Sequence, residues 1–464
     1  MNIYAQFWFD TEDFITPEAD DALYALLIML KEKNIPVTFK LVGEKARMIE
    51  RRKRYDIIEL LQNCDNFEIG YHTEFHSVHP TVSEYCETMG FTEGVDAFFA
   101  RENPGRLDVE RIIGKKCVCY GQPGNTWAPQ AFPALAKMDI PMYMDSHRVI
   151  DGGRNPYWFG GLLNYLDIYF YRMGLGADYA ENMRFAKEEF NSFKESHQHK
   201  NEEISFVNIY YHPCEFSCTK FYDGVNFARG SNPTRENWKS APLRTVEQMH
   251  GLIKNLGEFV DFLLEQHVNI ISPSALLKME SSKNKREIPE NIVLAWAEKA
   301  AKGEVDYLVK DGYSISCVEG LSLAAKKLVN KPLVYSFAYG PENYVKSLTI
   351  DPEKFKKFDD DTIHSLAEAV FKFFEENKDN KTAVLPDTFD TGAIKISPLD
   401  TAIILSQAIC SEEFTTVPCK LCPSELINPD DDWSGWIIHT EDFKVPNIIK
   451  MAKQQMWTFK PAVF

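Results

Sequence analysis

Along the first ~275 residues, short dense apolar runs alternate with longer stretches whose apolar positions recur at helical spacing. Ile3–Phe9 predicts a strand, Ala19–Glu32 a helix, Pro36–Gly43 a second strand closed by glycine, Arg54–Asn63 a helix and Phe67–Gly70 a third strand. Lys116–Tyr120, Pro141–Met144, Ser205–Tyr211 and Val268–Ile271 predict further strands, with helices over Ala131–Met138 and Val246–Gln266. Strands alternating with helices predict an α/β domain built on a largely parallel sheet or barrel. Val149–Gly176, rich in Gly and Tyr, predicts a long loop or hairpin over the site.

The pattern changes after Ser281–Pro289, a polar, charged segment ending in proline that has linker composition. Beyond it Asn291–Ala301, Val318–Val329, Asp361–Glu376 and Leu399–Ile409 carry helical periodicity. The chain therefore divides into an α/β domain over residues 1–280, a linker over 281–289 and a smaller, mostly α-helical domain over 290–464. Within the last, Ile315-Ser316-Cys317-Val318-Glu319 and Ile396-Ser397-Pro398-Leu399-Asp400 each precede a helix, which predicts two repeats. Ser with an acid three residues on is also the ordinary start of a helix.

At 464 residues with 44% hydrophobic and 13% aromatic content, the chain can bury more than one core. A net charge of −17 leaves no basic stripe for phosphates and excludes a nucleic-acid partner. Met1–Asp10 runs straight into a strand with neither a basic n-region nor an apolar h-region, and no apolar run approaches membrane-spanning length. The expectation is a cytoplasmic protein with no membrane partner. Ten scattered cysteines suit reduced thiols, Cys214 and Cys218 being read as buried small side chains. Cys419-Lys420-Leu421-Cys422 is a lone C-x-x-C, a weak signal for structural zinc.

Candidate chemistry gathers at strand ends, where α/β sheets and barrels assemble their sites. Asp10, His72, Gln122 and His212 each fall at or just beyond the end of an expected strand. His72 and His76 are four residues apart, a spacing that places two imidazoles on one face of a helical turn. Two imidazoles and a carboxylate are what a catalytic divalent metal takes when it keeps positions open for water and substrate. In Phe9-Asp10-Thr11-Glu12-Asp13, one carboxylate is expected to bind the metal and a neighbour to act as general base. Asp10 and Glu12 share a face on an extended strand, and the assignment among Asp10, Glu12 and Asp13 stays open. His212 suits a general acid, while His79 is a candidate second partner of the metal site or a surface group. Trp127, in the loop after Gln122, suits either a stacking surface for a sugar ring or a core position.

The strand-end acids, Pro36-Val37-Thr38-Phe39 before Val42-Gly43, Glu68-Ile69-Gly70 running into His72-Thr73-Glu74-Phe75-His76, and His212 together resemble the NodB-type polysaccharide deacetylases of carbohydrate esterase family 4. The Asp-x-Glu-Asp form and Tyr211-His212-Pro213-Cys214-Glu215-Phe216 are similar to the branch holding exopolysaccharide-linked and cytoplasmic peptidoglycan deacetylases and an allantoinase. The resemblance implies a distorted (β/α) barrel and a zinc-type metal, with cobalt or nickel as alternatives. That metal would be held by Glu12 or Asp13 with His72 and His76. It also implies an acid–base pair of Asp10 and His212, Gln122 and Trp127 against the substrate, and removal of N-acetyl groups from an amino sugar or polysaccharide. The family's third motif carries an Arg that orients the catalytic acid; Gly121 or Gln122 stands there, and the fourth motif around Asp145 is scarcely recognisable. The C-terminal domain weakly resembles pseudomurein-binding-type helical repeats. Two other functions fit the same residues: hydrolysis of a cyclic or other non-sugar amide, and a non-catalytic carbohydrate- or partner-binding protein on a degenerate barrel.

Overall fold

The computed structural model describes residues 2–198, 203–281, 285–343, 359–391, 395–411, 417, 419–428 and 435–464. Ten strands build the first part: β1 Asn2–Thr11, β2 Val37–Leu41, β3 Phe67–Tyr71, β4 Cys117–Tyr120, β5 Met142–Met144, β6 Tyr157–Phe159, β7 Leu162–Tyr165, β8 Tyr169–Phe170, β9 Ile204–Tyr211 and β10 Asn269–Ile270. Their order across the sheet is β6-β7-β5-β4-β3-β2-β1-β9-β8, with β10 also on β1. All neighbours are parallel except β6 and β7, which form a hairpin.

The sheet curls into a distorted (β/α) barrel, as the sequence predicts. Trp8, Cys119, Met142, Met144, Leu163, Tyr165 and Phe206 come from strands across the whole sheet and share one small apolar cluster, the barrel interior. Alternate residues Phe7, Phe9, Val37, Phe39, Leu41, Ile69 and Tyr71 belong instead to the main core under the helices. Burial on both faces is why these strands read as near-continuous apolar runs. Side chains rather than a ladder draw the far strands together: Tyr165 OH donates to Val207 O (2.9 Å), and Asn208 Nδ2 to Asp145 O (3.3 Å).

The same parity puts chemistry at the barrel mouth. On β1 the inward series Trp8, Asp10 continues to Glu12, and Asp10 stands opposite Lys40 of β2, which stands opposite Gly70 of β3.

One expectation changes in part. Val149–Gly176 does form a hairpin, β6 with β7, but together with β8 it belongs to the barrel wall, its aromatic residues being buried on both faces of the sheet. Phe91–Ile113 is a long helix that Gly94, Pro104 and Gly105 conceal in the sequence. Gly105 is required there, since a β-carbon would overlap Glu74 Oε2 and Tyr71 OH.

Beyond residues 281–289, the expected linker, of which 282–284 lie outside the described residues, two units share one order. Helix Glu290–Ala300, hairpin Leu308–Lys310/Tyr313–Ile315 and helix Cys317–Leu328 form the first. Helix Asp360–Glu376, hairpin Phe389–Asp390/Lys395–Ile396 and helix Pro398–Cys410 form the second. Ser316 and Ser397 cap the later helices, accepting from Glu319 N and Asp400 N. The chain then returns to the barrel: Lys460–Pro461 adds an antiparallel strand to β6, and Gly435–Thr440 crosses the barrel mouth. Among the described residues no helix is long and apolar enough to cross a membrane.

Candidate metal centre

β1 delivers Asp10 as its penultimate residue and Glu12 just past its end. Asp13 then turns the chain, its Oδ1 accepting from Ile15 N (3.0 Å) and Thr16 N (2.8 Å). It caps this turn and is not among the three clustered metal-type donors. Burial pushes its carboxyl up to about 6 against Lys45 and these bonds.

Glu12, His72 and His76 form a buried cluster whose ligand atoms all lie within 4.8 Å of one another, the only such three-residue group among the described residues. Glu12 Oε2 lies 2.8 Å from His76 Nε2 and 3.5 Å from His72 Nε2. The two imidazoles converge, with ring centroids 5.1 Å apart, but not on a helical turn. Residues 72–76 are a loop with Thr73 at φ 68° and His76 at φ 52°, a left-handed backbone that neither residue adopts without cost. The loop is held by Gly43 N to Thr73 O, Glu44 N to Glu74 O, and His76 N to Thr73 Oγ1. His72 Nδ1 donates to Gly121 O (2.9 Å), a tautomer that leaves the Nε2 lone pair for an ion. His76 Nδ1 is buried without a hydrogen-bond partner. One carboxylate and two imidazoles with a free lone pair on each fit a divalent cation of the zinc type, with further positions left open.

His212, at the end of β9, points at both acids: Nε2 is 3.8 Å from Asp10 Oδ2 and 3.8 Å from Glu12 Oε2. Its Nδ1 donates to Glu215 Oε2 (2.9 Å), and Arg172 donates to the other Glu215 oxygen (2.9 Å). Burial alone would lower the imidazole, but Glu12, Glu215 and Asp10 raise it to about 9. Glu215 is held down to about 2, burial being outweighed by His212 and Arg172.

The third-motif arginine is absent, yet Asp10 has a cation. Lys40 Nζ lies 2.8 Å from Asp10 Oδ1 and donates to Met144 O (3.1 Å) and Asp145 Oδ2 (3.4 Å). Its side chain is fully buried. Gly70 and Gly121 leave the room for it, since a β-carbon at either would overlap the Lys40 side chain. Burial tends to raise Asp10, but Lys40, His72 and His212 bring it below the ordinary aspartate range.

These groups open into a cavity of about 850 Å³ lined also by Gln122, Tyr210, Phe221, Asp223 and Trp436. Gln122 lines the cavity just past the end of β4. Trp127 takes the core position of its two readings and not the substrate-facing one: it is fully buried against Phe132 and Phe159. His79 pairs with Glu84 away from the cluster, and Cys419 and Cys422 belong to no three-donor group among the described residues. Lys40, Glu215, Asp223 and Trp436 also belong to the site without a motif in the sequence that marks them as site residues, and Asp145 is marked only by the faint fourth motif. Lys40 and Glu215 left a signal, a charge inside an apolar strand and an acid three residues after His212.

No protein-family model and no curated protein matches the chain. Among solved structures it is similar to the 4-alpha-glucanotransferase from Thermococcus litoralis, with 13% identity and a TM-score of 0.39 over 60% of this chain and 40% of that one. It is also similar to a protein provisionally named a polysaccharide deacetylase from Mycobacterium smegmatis, with 15% identity and a TM-score of 0.33 over 58% and 93% of the two chains. A third is a family 4 carbohydrate esterase pseudoenzyme from Bacillus anthracis, at 12% identity, 60% and 65% coverage and a TM-score of 0.29. The chain spans less than half the length of the glucanotransferase. The expected likeness of the C-terminal part to pseudomurein-binding repeats finds no support among them.

Proposed function

We propose that the protein is a metal-dependent hydrolase of C–N amide bonds that removes N-acetyl groups from an amino sugar or saccharide chain. The observation that carries this reading is the Glu12–His72–His76 cluster flanked by Asp10 and His212 in one cavity. When bound, a divalent ion there supplies a Lewis acid for the acyl carbonyl and an acidified water. Asp10 has Oδ1 occupied by Lys40, so Oδ2 is the oxygen that takes the proton of the attacking water. His212, raised by Glu12, Glu215 and Asp10 and with Nδ1 held by Glu215, is the group placed to give a proton at Nε2 to the departing amine. The C–N bond breaks and acetate and amine leave.

The missing third-motif arginine favours the non-catalytic alternative, and Lys40 supports catalysis by giving Asp10 a cation in its place. Acetate release from N-acetylated oligosaccharides by the zinc-loaded protein, compared with His212→Ala, tests the proposal. No acetate from any N-acetylated saccharide, with ring opening of a cyclic amide instead, would transfer the same site to the second substrate class.

A further inference from the structure

The cavity over the metal centre has a wall that the barrel does not supply. Gly435–Thr440, far along the chain, crosses the mouth, and its backbone is fixed there by Arg229 N to Ile437 O (3.0 Å) and Gly230 N to Ile438 O (2.7 Å). Ile438 is fully buried with Phe14, Val42, Cys214, Tyr222 and Phe227, and His439 Nε2 meets Thr81 Oγ1 at 3.4 Å. The segment is therefore anchored at and just beyond two residues that line the cavity, Trp436 and Ile437.

Trp436 stands edge-on to the His76 ring, centroids 5.5 Å apart at 86°. Gly124 makes space for the indole: its φ is +46°, and a β-carbon would overlap the ring. Ile437 is 51% exposed although its backbone is pinned, and Phe221, 36% exposed, also lines the cavity. Exposed apolar groups at the rim of a polar catalytic cavity mark a surface that a ligand covers. Asp10, Glu12, His72 and His212 gather at the reacting end of the cavity, whose lining elsewhere mixes polar groups such as Lys220 and Asp223 with the apolar Phe221, Trp436 and Ile437. These apolar groups are available to the part of the substrate beyond the amide.

We propose that Trp436 and Ile437 form a saccharide subsite, the indole receiving the C–H face of the pyranose next to the scissile acetamide. An aromatic ring offers a flat, polarisable apolar face, and a pyranose presents one such face with its hydroxyls directed outward. This subsite rests on the deacetylase reading for its choice of sugar. It gives the C-terminal part a direct role in selecting substrate, and makes Trp436 a specificity residue that holds the substrate without taking part in proton transfer.

The test is calorimetric titration of the metal-free full chain with chitotetraose, so that binding is read without turnover. The wild type is expected to bind, and Trp436→Leu and Ile437→Asp each to weaken binding by about tenfold or more. Ile437 is exposed, so its variant keeps the proposal testable if Trp436→Leu misfolds. In the zinc-loaded protein the same variants are expected to raise KM about tenfold with kcat within about twofold. Absence of wild-type binding, or variants that bind as the wild type does, overturns the subsite. Binding of chitotetraose without acetate release would instead count against the hydrolase reading and leave the subsite standing.

Discussion

Lys40 Nζ and Asp10 Oδ1 meet at 2.8 Å across neighbouring positions of two parallel strands, in a barrel interior otherwise filled by Trp8, Cys119 and Met144. A buried ammonium is costly unless its charge is matched. Here Asp10 and Asp145 match it, and the Met144 carbonyl takes a third contact.

Lys40→Met is expected to leave the two carboxylates buried without a cation and to cost about 3–5 kcal/mol of stability. In the fraction that folds, zinc binding should persist while kcat falls about 100-fold, since the base loses its orientation. Denaturant unfolding, zinc per chain and initial rates check this together. An unchanged kcat per zinc-loaded molecule would remove Lys40 from the account.

Gly121→Ala is the complementary change. Its β-carbon would overlap the Lys40 ammonium and the Met144 carbonyl and approach Asp145 Oδ2, displacing the cation from its partners without altering any charge. The expected outcome is a kcat reduced by about tenfold or more with KM and zinc content kept.

Glu215→Gln removes one of the charges that raise His212 to about 9. The imidazolium then loses its proton at lower pH, so the basic limb of the pH–kcat profile should move towards neutrality, with kcat at pH 7 down by about tenfold. Stability supplies a second reading. Glu215 is held at about 2 against an ordinary 4.5, so its contribution is complete above 4.5 and is lost as pH falls from 4.5 towards 2. The variant should lack that acid-side loss.

Asp13→Asn separates the turn from the metal. Asp13 titrates at about 6 in the folded chain against 3.8 ordinarily, so its ionisation destabilises the fold as pH rises from 3.8 to about 6. The Asn variant avoids this. Relative to wild type it should gain up to about 3 kcal/mol above pH 6 and nothing near pH 4, with zinc content unchanged. Unfolding midpoints at both pH values and metal analysis give the answer, and loss of zinc would return Asp13 to the ligand set.

The long parallel strands, and the placing of Asp10, Glu12, His72, His76 and His212 at their ends, were legible because parallel strands are dense apolar runs. The short β6, β7 and β8, set among Gly and Tyr, were not, and the pattern alone left sheet or barrel open. It misled at His72 and His76, whose spacing suggested a helical turn. Convergence instead comes from left-handed residues at 73 and 76, which Thr and His do not advertise. Trp127 was ambiguous because a loop tryptophan looks the same whether it faces a ligand or the core. Lys40 became meaningful only through strand register, which pairs it with Asp10 and places Gly70 and Gly121 around it. Trp436 was out of reach of local pattern, since it meets His76 through a chain return of hundreds of residues.

The most direct test of the account is metal content by elemental analysis after zinc loading, for wild type and for Glu12→Ala/His76→Ala. About one ion per chain in the wild type, absent from the variant, is the predicted result. No bound ion in the wild type, or equal content in both proteins, would contradict a metal centre at Glu12, His72 and His76 and with it the hydrolase built on it.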